Sequence, residues 1–113
     1  MHERLAAVPM ARVCVSVITE AELRFGLARR PGATRLASDV EDFLLRVDIL
    51  PWNSAAAESY GRLRATLEAV GRPLAALDTL IAAHALAEDA ILVTHDGAFA
   101  RVPGLNVEDW QAA

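Results

Sequence analysis

The sequence predicts an α/β sandwich built on a parallel sheet. Short β-branched or apolar runs, too brief for helices, recur along the chain, and longer segments with helical spacing separate them. Punctuation falls at Pro31-Gly32, Pro51, Gly71-Arg72-Pro73, Asp96-Gly97 and Pro103-Gly104. Crossover helices of this length are what parallel neighbours require. The 113 residues suit one domain, and no repeat, linker or low-complexity tract divides them.

The first element is a strand over residues 12–18, Arg-Val-Cys-Val-Ser-Val-Ile. A helix follows over about 19–30, with Thr19-Glu20-Ala21-Glu22 in capping-box form and Pro31-Gly32 as its stop after Arg29 and Arg30. Residues 34–46 place Leu36, Val40, Phe43 and Leu44 at helical spacing, with Asp39, Glu41 and Asp42 on a solvated face. Residues 47–50 read as a short strand. Asn53 or Ser54 then caps a helix that runs to about Val70 and ends at Gly71. Leu74 to Glu88 form a helix of small and apolar residues, suited to packing against a sheet. Ile91–Thr94 is predicted as a strand buried on both faces, and residues 105–108 as a last, weaker strand.

Composition removes several classes of function. Hydrophobic residues make up 54% of the chain, which excludes disorder. No apolar run approaches the roughly 20 residues of a membrane span, and Met1-His2-Glu3-Arg4 leads into no secretory segment, so a cytoplasmic location without membrane contact is expected. Cys14 stands alone, which excludes an intramolecular disulfide and paired-cysteine zinc motifs. All 11 basic residues are arginine. Chemistry that needs an amine, as in a P-loop or a Schiff base, is therefore absent. The net charge of −4 lacks the basic field of a protein that grips nucleic acid through phosphates, so any such contact requires a bound cation.

In α/β sheets the functional crevice lies beyond the carboxyl ends of the strands. Three acids stand there by sequence: Glu22 after the first strand, Asp78 at the start of the alanine-rich helix, and Asp96 just past Ile91–Thr94. Each has a structural reading as well: Glu22 in a capping box with Thr19, Asp78 as an N-cap, and Asp96 with Gly97 as a turn. Together they suit a hard divalent cation such as Mg²⁺, which neutralises converging carboxylates, acidifies a bound water and supports phosphodiester hydrolysis. Thr94 is placed to orient Asp96 as a hydrogen-bond donor, or is simply a β-branched strand residue. His84 and His95 have no partner at metal-ligand spacing and read as structural, although His95 could touch a substrate from the rim. Arg24, Arg29 and Arg30 are candidates for phosphate contact or a solvated surface. Trp52 and Trp110 read as core or interface anchors. Ser54 and Ser59 lack the context of a nucleophile elbow.

At these residues the sequence resembles the PIN-domain ribonucleases, specifically the VapC-type toxins of bacterial toxin–antitoxin pairs. The similar segments are residues 16–26, Gly71-Arg72-Pro73-Leu74, residues 78–85, Leu92–Asp96 with Phe99, residues 101–105, and Trp110. The resemblance implies a PIN-like three-layer α/β/α sandwich with a parallel sheet. It also implies an endoribonuclease that uses Mg²⁺ or Mn²⁺, is usually dimeric, and is neutralised by a VapB-like antitoxin whose C-terminal tail covers the site. Glu22, Asp78 and Asp96 stand where the family has its second, third and last acids, and Thr94 at the supporting hydroxyl.

Members of that family begin with a strand ending in an Asp-Thr-Asn-like motif, followed by a helix. In this chain Met1 to Val8 resemble only the end of that helix, so the resemblance implies that the first strand and first acid are missing. That strand lies between the strands containing Val13–Val17 and Ile91–Thr94. Without it, those two either keep unpaired edges or pair directly. A start assigned too far downstream and a genuine short form are both open, and weak or absent nuclease activity is expected of the chain as it stands. The alternative to an RNA-cleaving toxin is a non-catalytic PIN-like module that binds an antitoxin or a homologous toxin. A phosphoacceptor receiver fits less well, because receivers resemble one another in using a lysine.

Overall fold

The computed structural model of the protein describes residues 14–94 and 96–109. The expectations for Met1–Val8, for the start of the first strand at residues 12 and 13, for His95 and for Trp110 lie outside the described residues. The element order is β1 (Cys14–Ser16), α1 (Val17–Ala28), α2 (Thr34–Arg46), β2 (Asp48–Leu50), α3 (Ser54–Ala69), α4 (Ala76–Ala87), β3 (Ile91–Val93), a 3-10 turn (Gly97–Arg101) and β4 (Asn106–Glu108).

The strands form two parallel pairs. β1 runs beside β2 with Cys14 opposite Asp48 and Ser16 opposite Leu50. β3 runs beside β4 with Ile91 opposite Asn106 and Val93 opposite Glu108. Thr94 extends the second ladder by donating its N–H to the Glu108 carbonyl at 3.0 Å. Among the described residues β1 and β3 do not pair with each other, so of the two outcomes weighed from the sequence direct pairing is not found.

Local chemistry sets the boundaries. Ser16 ends β1 because its Oγ accepts the Ile18 N–H at 3.1 Å, so α1 begins at Val17. The predicted strand loses Val17 and Ile18 to the helix, and the predicted Thr19–Glu22 capping box is not formed. Thr34–Arg46 is helical as the spacing predicts. Asn53 caps α3, its side chain accepting the Ala56 N–H at 3.1 Å. Beyond α3, Gly71 takes φ +70° and the Arg72 N–H returns to the Leu67 carbonyl at 2.9 Å, a closure that favours glycine.

The core lies between α3 and α4. Leu63 and Leu67 of α3 meet Ala82 and Ala83 of α4, with Phe99 and Val102 closing one side and Leu92 and Val107 of the second strand pair packed against them. Ala82 and Ala83 are 0% exposed; side chains this small let the backbone of α4 approach its neighbours closely. Trp52 pins the segment before α3 to α4 by donating its indole N–H to the Leu80 carbonyl at 3.1 Å, with its ring edge-on to Tyr60. This bears out its reading as an anchor. No helix among the described residues is long and apolar enough to cross a membrane.

β3 departs from expectation. Ile91 is 55% exposed and Val93 38% exposed, with Leu92 turned to the core, so the strand is covered on one face only.

α4 reaches β3 through a tight closure in which the Ala90 N–H returns to the Ala85 carbonyl at 2.9 Å and Asp89 takes φ 51°. That left-handed conformation penalises a residue with a Cβ. Asp89→Gly is expected to stabilise the protein by about 0.5–1 kcal/mol, measured by urea unfolding.

Candidate functional site

Asp78 and Asp96 are brought together by α4 and β3. α4 connects to β3 through a short reversal, so the N-terminal end of the helix lies at the carboxyl end of the strand. Asp78 lies in the first turn of α4. Asp96 follows Thr94 directly beyond β3. Burial, and secondly the charge of Asp96, push the Asp78 carboxyl above the usual carboxylate range.

The cap of α4 is the backbone of Ala75, and no side chain bonds there. The N-cap reading of Asp78 is thereby excluded, and its partly buried carboxylate has no hydrogen-bond donor among the described residues. Asp96, in contrast, does cap: its Oδ1 accepts the Ala98 N–H at 3.0 Å at the start of the 3-10 turn. That bond occupies one of its two carboxylate oxygens.

Thr94 supports Asp96 through the backbone. Its Oγ1 accepts the Asp96 N–H at 3.1 Å, so it fixes the chain that carries the carboxylate, where the sequence suggested a donor to the carboxylate itself.

Glu22 stands apart. With α1 beginning at Val17, Glu22 falls in the second turn of the helix, solvent-exposed, and Glu20 takes the first-turn position. Among the described residues no three His, Cys, Asp or Glu side chains converge as a metal-holding group. Of the three expected acids, Asp78 and Asp96 are near enough for the charge of one to act on the other.

Two of the three candidate arginines, Arg24 and Arg29, have structural partners. Arg24 bridges α1 and α2, its Nε donating to Glu20 at 2.9 Å and its Nη1 to Glu41 at 2.8 Å. Hydrogen bonds to Glu20 and then to Glu41 raise its pKa further above the usual arginine value. Arg29 lies over the Phe25 ring with its guanidinium carbon 4.8 Å from the centroid. Arg24, proposed from sequence as an RNA contact, must exchange carboxylates for phosphate to serve as one.

Sequence reasoning set His84 aside as structural, and the structure gives it a definite position. It is 2% exposed, and its Nδ1 lies 2.7 Å from Ser16 Oγ, tying the middle of α4 to the junction of β1 and α1. Its Nε2 is buried without a partner among the described residues. The signal for this pair was Ser16 itself, a hydroxyl at a strand-to-helix junction.

A family model for the PIN domain matches residues 2–105. The chain belongs to the PIN-domain family. It is 38% identical over 100 residues to the tRNA(fMet)-specific endonuclease VapC of Shigella flexneri, covering 88% of this chain and 76% of that protein. It is equally 38% identical over 100 residues to ribonuclease VapC2 of Haemophilus influenzae strain Rd, with the same shares covered. Among solved structures, the DNA-bound VapBC of Salmonella typhimurium superposes with a TM-score of 0.89 at 34% identity, over 96% of this chain and 83% of that one. VapBC2 of Rickettsia felis, bound to a promoter DNA fragment, gives 0.81 at 37% identity, over 86% and 74%. PIN-domain membership and the fold of parallel strands and helices expected from the sequence are thus both found.

The raised carboxyl of Asp78 predicts a stability change with pH. An acid whose pKa rises on folding favours the folded state only while it is protonated, and that contribution is lost as pH rises from the ordinary carboxylate value through the raised one. At pH 7, without divalent cations, Asp78→Asn is expected to melt on the order of 1–4 °C higher than the unaltered protein. The difference should vanish below about pH 3, where the carboxyl is protonated in both states.

Proposed function

We propose that this PIN-domain protein is a VapC-type endoribonuclease toxin that hydrolyses RNA phosphodiester bonds with Mg²⁺ and is held in check by a VapB-like antitoxin. The coupled pair Asp78 and Asp96 carries this reading, in a chain 38% identical to proteins named as ribonucleases. Two carboxylates beside exposed solvent suit Mg²⁺, which keeps several waters and binds through one or two carboxylates together with substrate phosphate.

Asp78 and the free oxygen of Asp96 would hold the ion, with Glu22 joining from α1, and Mn²⁺ could take the same oxygens. When bound, the ion would supply a water of lowered pKa and stabilise charge on the scissile phosphate. Thr94 keeps Asp96 in place through its backbone N–H. Arg24, already bridging two acids, positions α1 against α2; after exchange it would meet an RNA phosphate, and His95 is the other candidate for substrate contact. The VapBC assemblies among the structural relatives support antitoxin binding.

A second reading is favoured by one observation, the absence of a third converging ligand among the described residues. On that reading the chain is a non-catalytic PIN-like module that binds an antitoxin or a homologous toxin. RNA cleavage, measured with this chain and with a version extended by an N-terminal strand ending in an acid, separates the two. Nuclease function predicts cleavage that requires Mg²⁺, is abolished by EDTA, and falls on the order of 100-fold or more in Asp78→Asn and Asp96→Asn. Failure of both versions to cleave RNA or bind Mg²⁺ leaves the non-catalytic module.

A further inference from the structure

A cavity of about 230 Å³ lies between α3 and the first turn of α4. Tyr60, Arg64 and Glu68 of α3 line it, spaced four residues apart and therefore on one face of the helix. Across from them stand Ala76 and Thr79 of α4, which bracket Asp78 in the sequence. A different face of α3, at Arg62 and Thr66, meets Leu86 and Ala87 at the other end of α4. α3 thus turns Tyr60, Arg64 and Glu68 toward the end of α4 that carries the acid pair. The cavity and the Asp78 carboxyl lie within about 10–12 Å of each other, one helix diameter.

The polar groups of the cavity are fixed to one another. Arg64 donates from Nε to Glu68 Oε2 at 2.8 Å and from Nη1 to the Tyr60 hydroxyl at 3.0 Å. Tyr60 is the acceptor in that bond, so its own O–H proton remains to be donated, and Glu68 Oε1 has no donor among the described residues. The Glu68 side chain is 55% exposed and within reach of a ligand. Leu67 and Leu74 give the cavity apolar walls. An ion pair at this helical spacing serves the helix by itself, but that role uses neither the phenol proton nor the cavity beside it. Apolar walls next to a carboxylate and a hydroxyl donor suit a flat heteroaromatic ring, and single-stranded RNA offers its unstacked bases in that form.

We infer that the cavity between α3 and α4 is a base-specificity pocket that receives a guanine of the RNA substrate, Glu68 accepting its N1–H and N2–H and Tyr60 donating to its O6. The inference rests on the nuclease reading above and adds to it the base that the chain selects near the scissile phosphate. Guanine follows from the donor and acceptor pattern. A carboxylate seeks two adjacent N–H groups, and among the four bases only the Watson–Crick edge of guanine has them, beside a carbonyl that suits a phenol proton. Adenine and cytosine each turn a ring-nitrogen acceptor toward the carboxylate, and uracil flanks its one N–H with two carbonyls. Each of these leaves a lone pair facing Glu68, the kind of mismatch by which a hydrogen-bonding site rejects a wrong ligand. Arg64 holds both recognition groups in place from the α3 surface.

Tyr60 is the sole tyrosine, so its ring protons report the cavity in an NMR titration. The full chain is titrated, with Mg²⁺ present, with the 2′-O-methyl trinucleotides UGU and UAU, which resist cleavage, and with the inosine form, which lacks the guanine N2–H. UGU is expected to shift the Tyr60 ring saturably and to bind about tenfold or more tightly than UAU, with the inosine form between them. Glu68→Gln, at an exposed position, is expected to bring UGU and UAU to equal affinity, and Tyr60→Phe to weaken UGU alone. Equal binding of UGU and UAU, with shifts at Asp78 and Asp96 and none at Tyr60, overturns this inference and leaves the nuclease reading standing. A guanine preference that survives Glu68→Gln also overturns it. Binding of none of the three at millimolar concentration overturns the inference and the nuclease reading together. A Tyr60 signal that moves on dilution of the protein and not with RNA assigns the cavity to a second copy of the chain, and overturns the inference alone.

Discussion

The position of every group discussed above depends on the close packing of α4. Its buried residues are Thr79, Ala82, Ala83 and His84, of which the first three are small enough for the helix backbone to lie tightly against α3, with β1 and β3 resting on other parts of its surface. From that one placement follow the site of Asp78 at the N-terminal end of the helix, the burial of His84 at its middle, and the route of the chain through Asp89 into β3. A larger side chain at position 82 or 83 would push α4 outward and shift Asp78 relative to Asp96, because close-packed interiors transmit added volume as displacement.

This dependence gives the two strand pairs unequal support. The β3–β4 pair is backed by the main core, with Leu92 and Val107 packed on Phe99, Leu63 and their neighbours. The β1–β2 pair has a thinner backing, in which Leu44 and Val47 are the buried apolar residues closest in sequence, and α1 buries no residue fully. Its tie to the rest of the molecule at Ser16 and His84 is polar. The Ser16 hydroxyl serves both α1, as its cap, and His84, as its hydrogen-bond partner, so the start of the helix that carries Glu22 is coupled to α4 through one side chain.

Much of this was legible in the residues. Thr34–Arg46 showed itself by periodicity, α3 by Asn53 and Gly71 at its ends, and the alanine-rich composition of α4 announced a packed helix. The acids Asp78 and Asp96 were recognisable by position relative to α4 and β3. What could not be read was tertiary. Ser16 competes for the Ile18 N–H, and only the outcome decides whether residues 17 and 18 are strand or helix. The 3-10 turn after Asp96 resembles any Asp-Gly turn in sequence. The exposure of Ile91 and Val93 depends on what lies beside the strand, which the hydrophobicity of Ile91–Thr94 does not report. Arg24 finds Glu41 on a different helix, 17 residues away, and no local rule anticipates that pairing.

α4 and β3 hold Asp78 and Asp96 close enough for the charge of one to act on the other. Carbon-13 NMR titration of the side-chain carboxyls tests it most directly. Asp78 should titrate above the ordinary carboxylate range, move back toward it in Asp96→Asn, and fall when Mg²⁺ is added. An Asp78 that titrates at the ordinary value and responds neither to Asp96→Asn nor to Mg²⁺ would contradict the account.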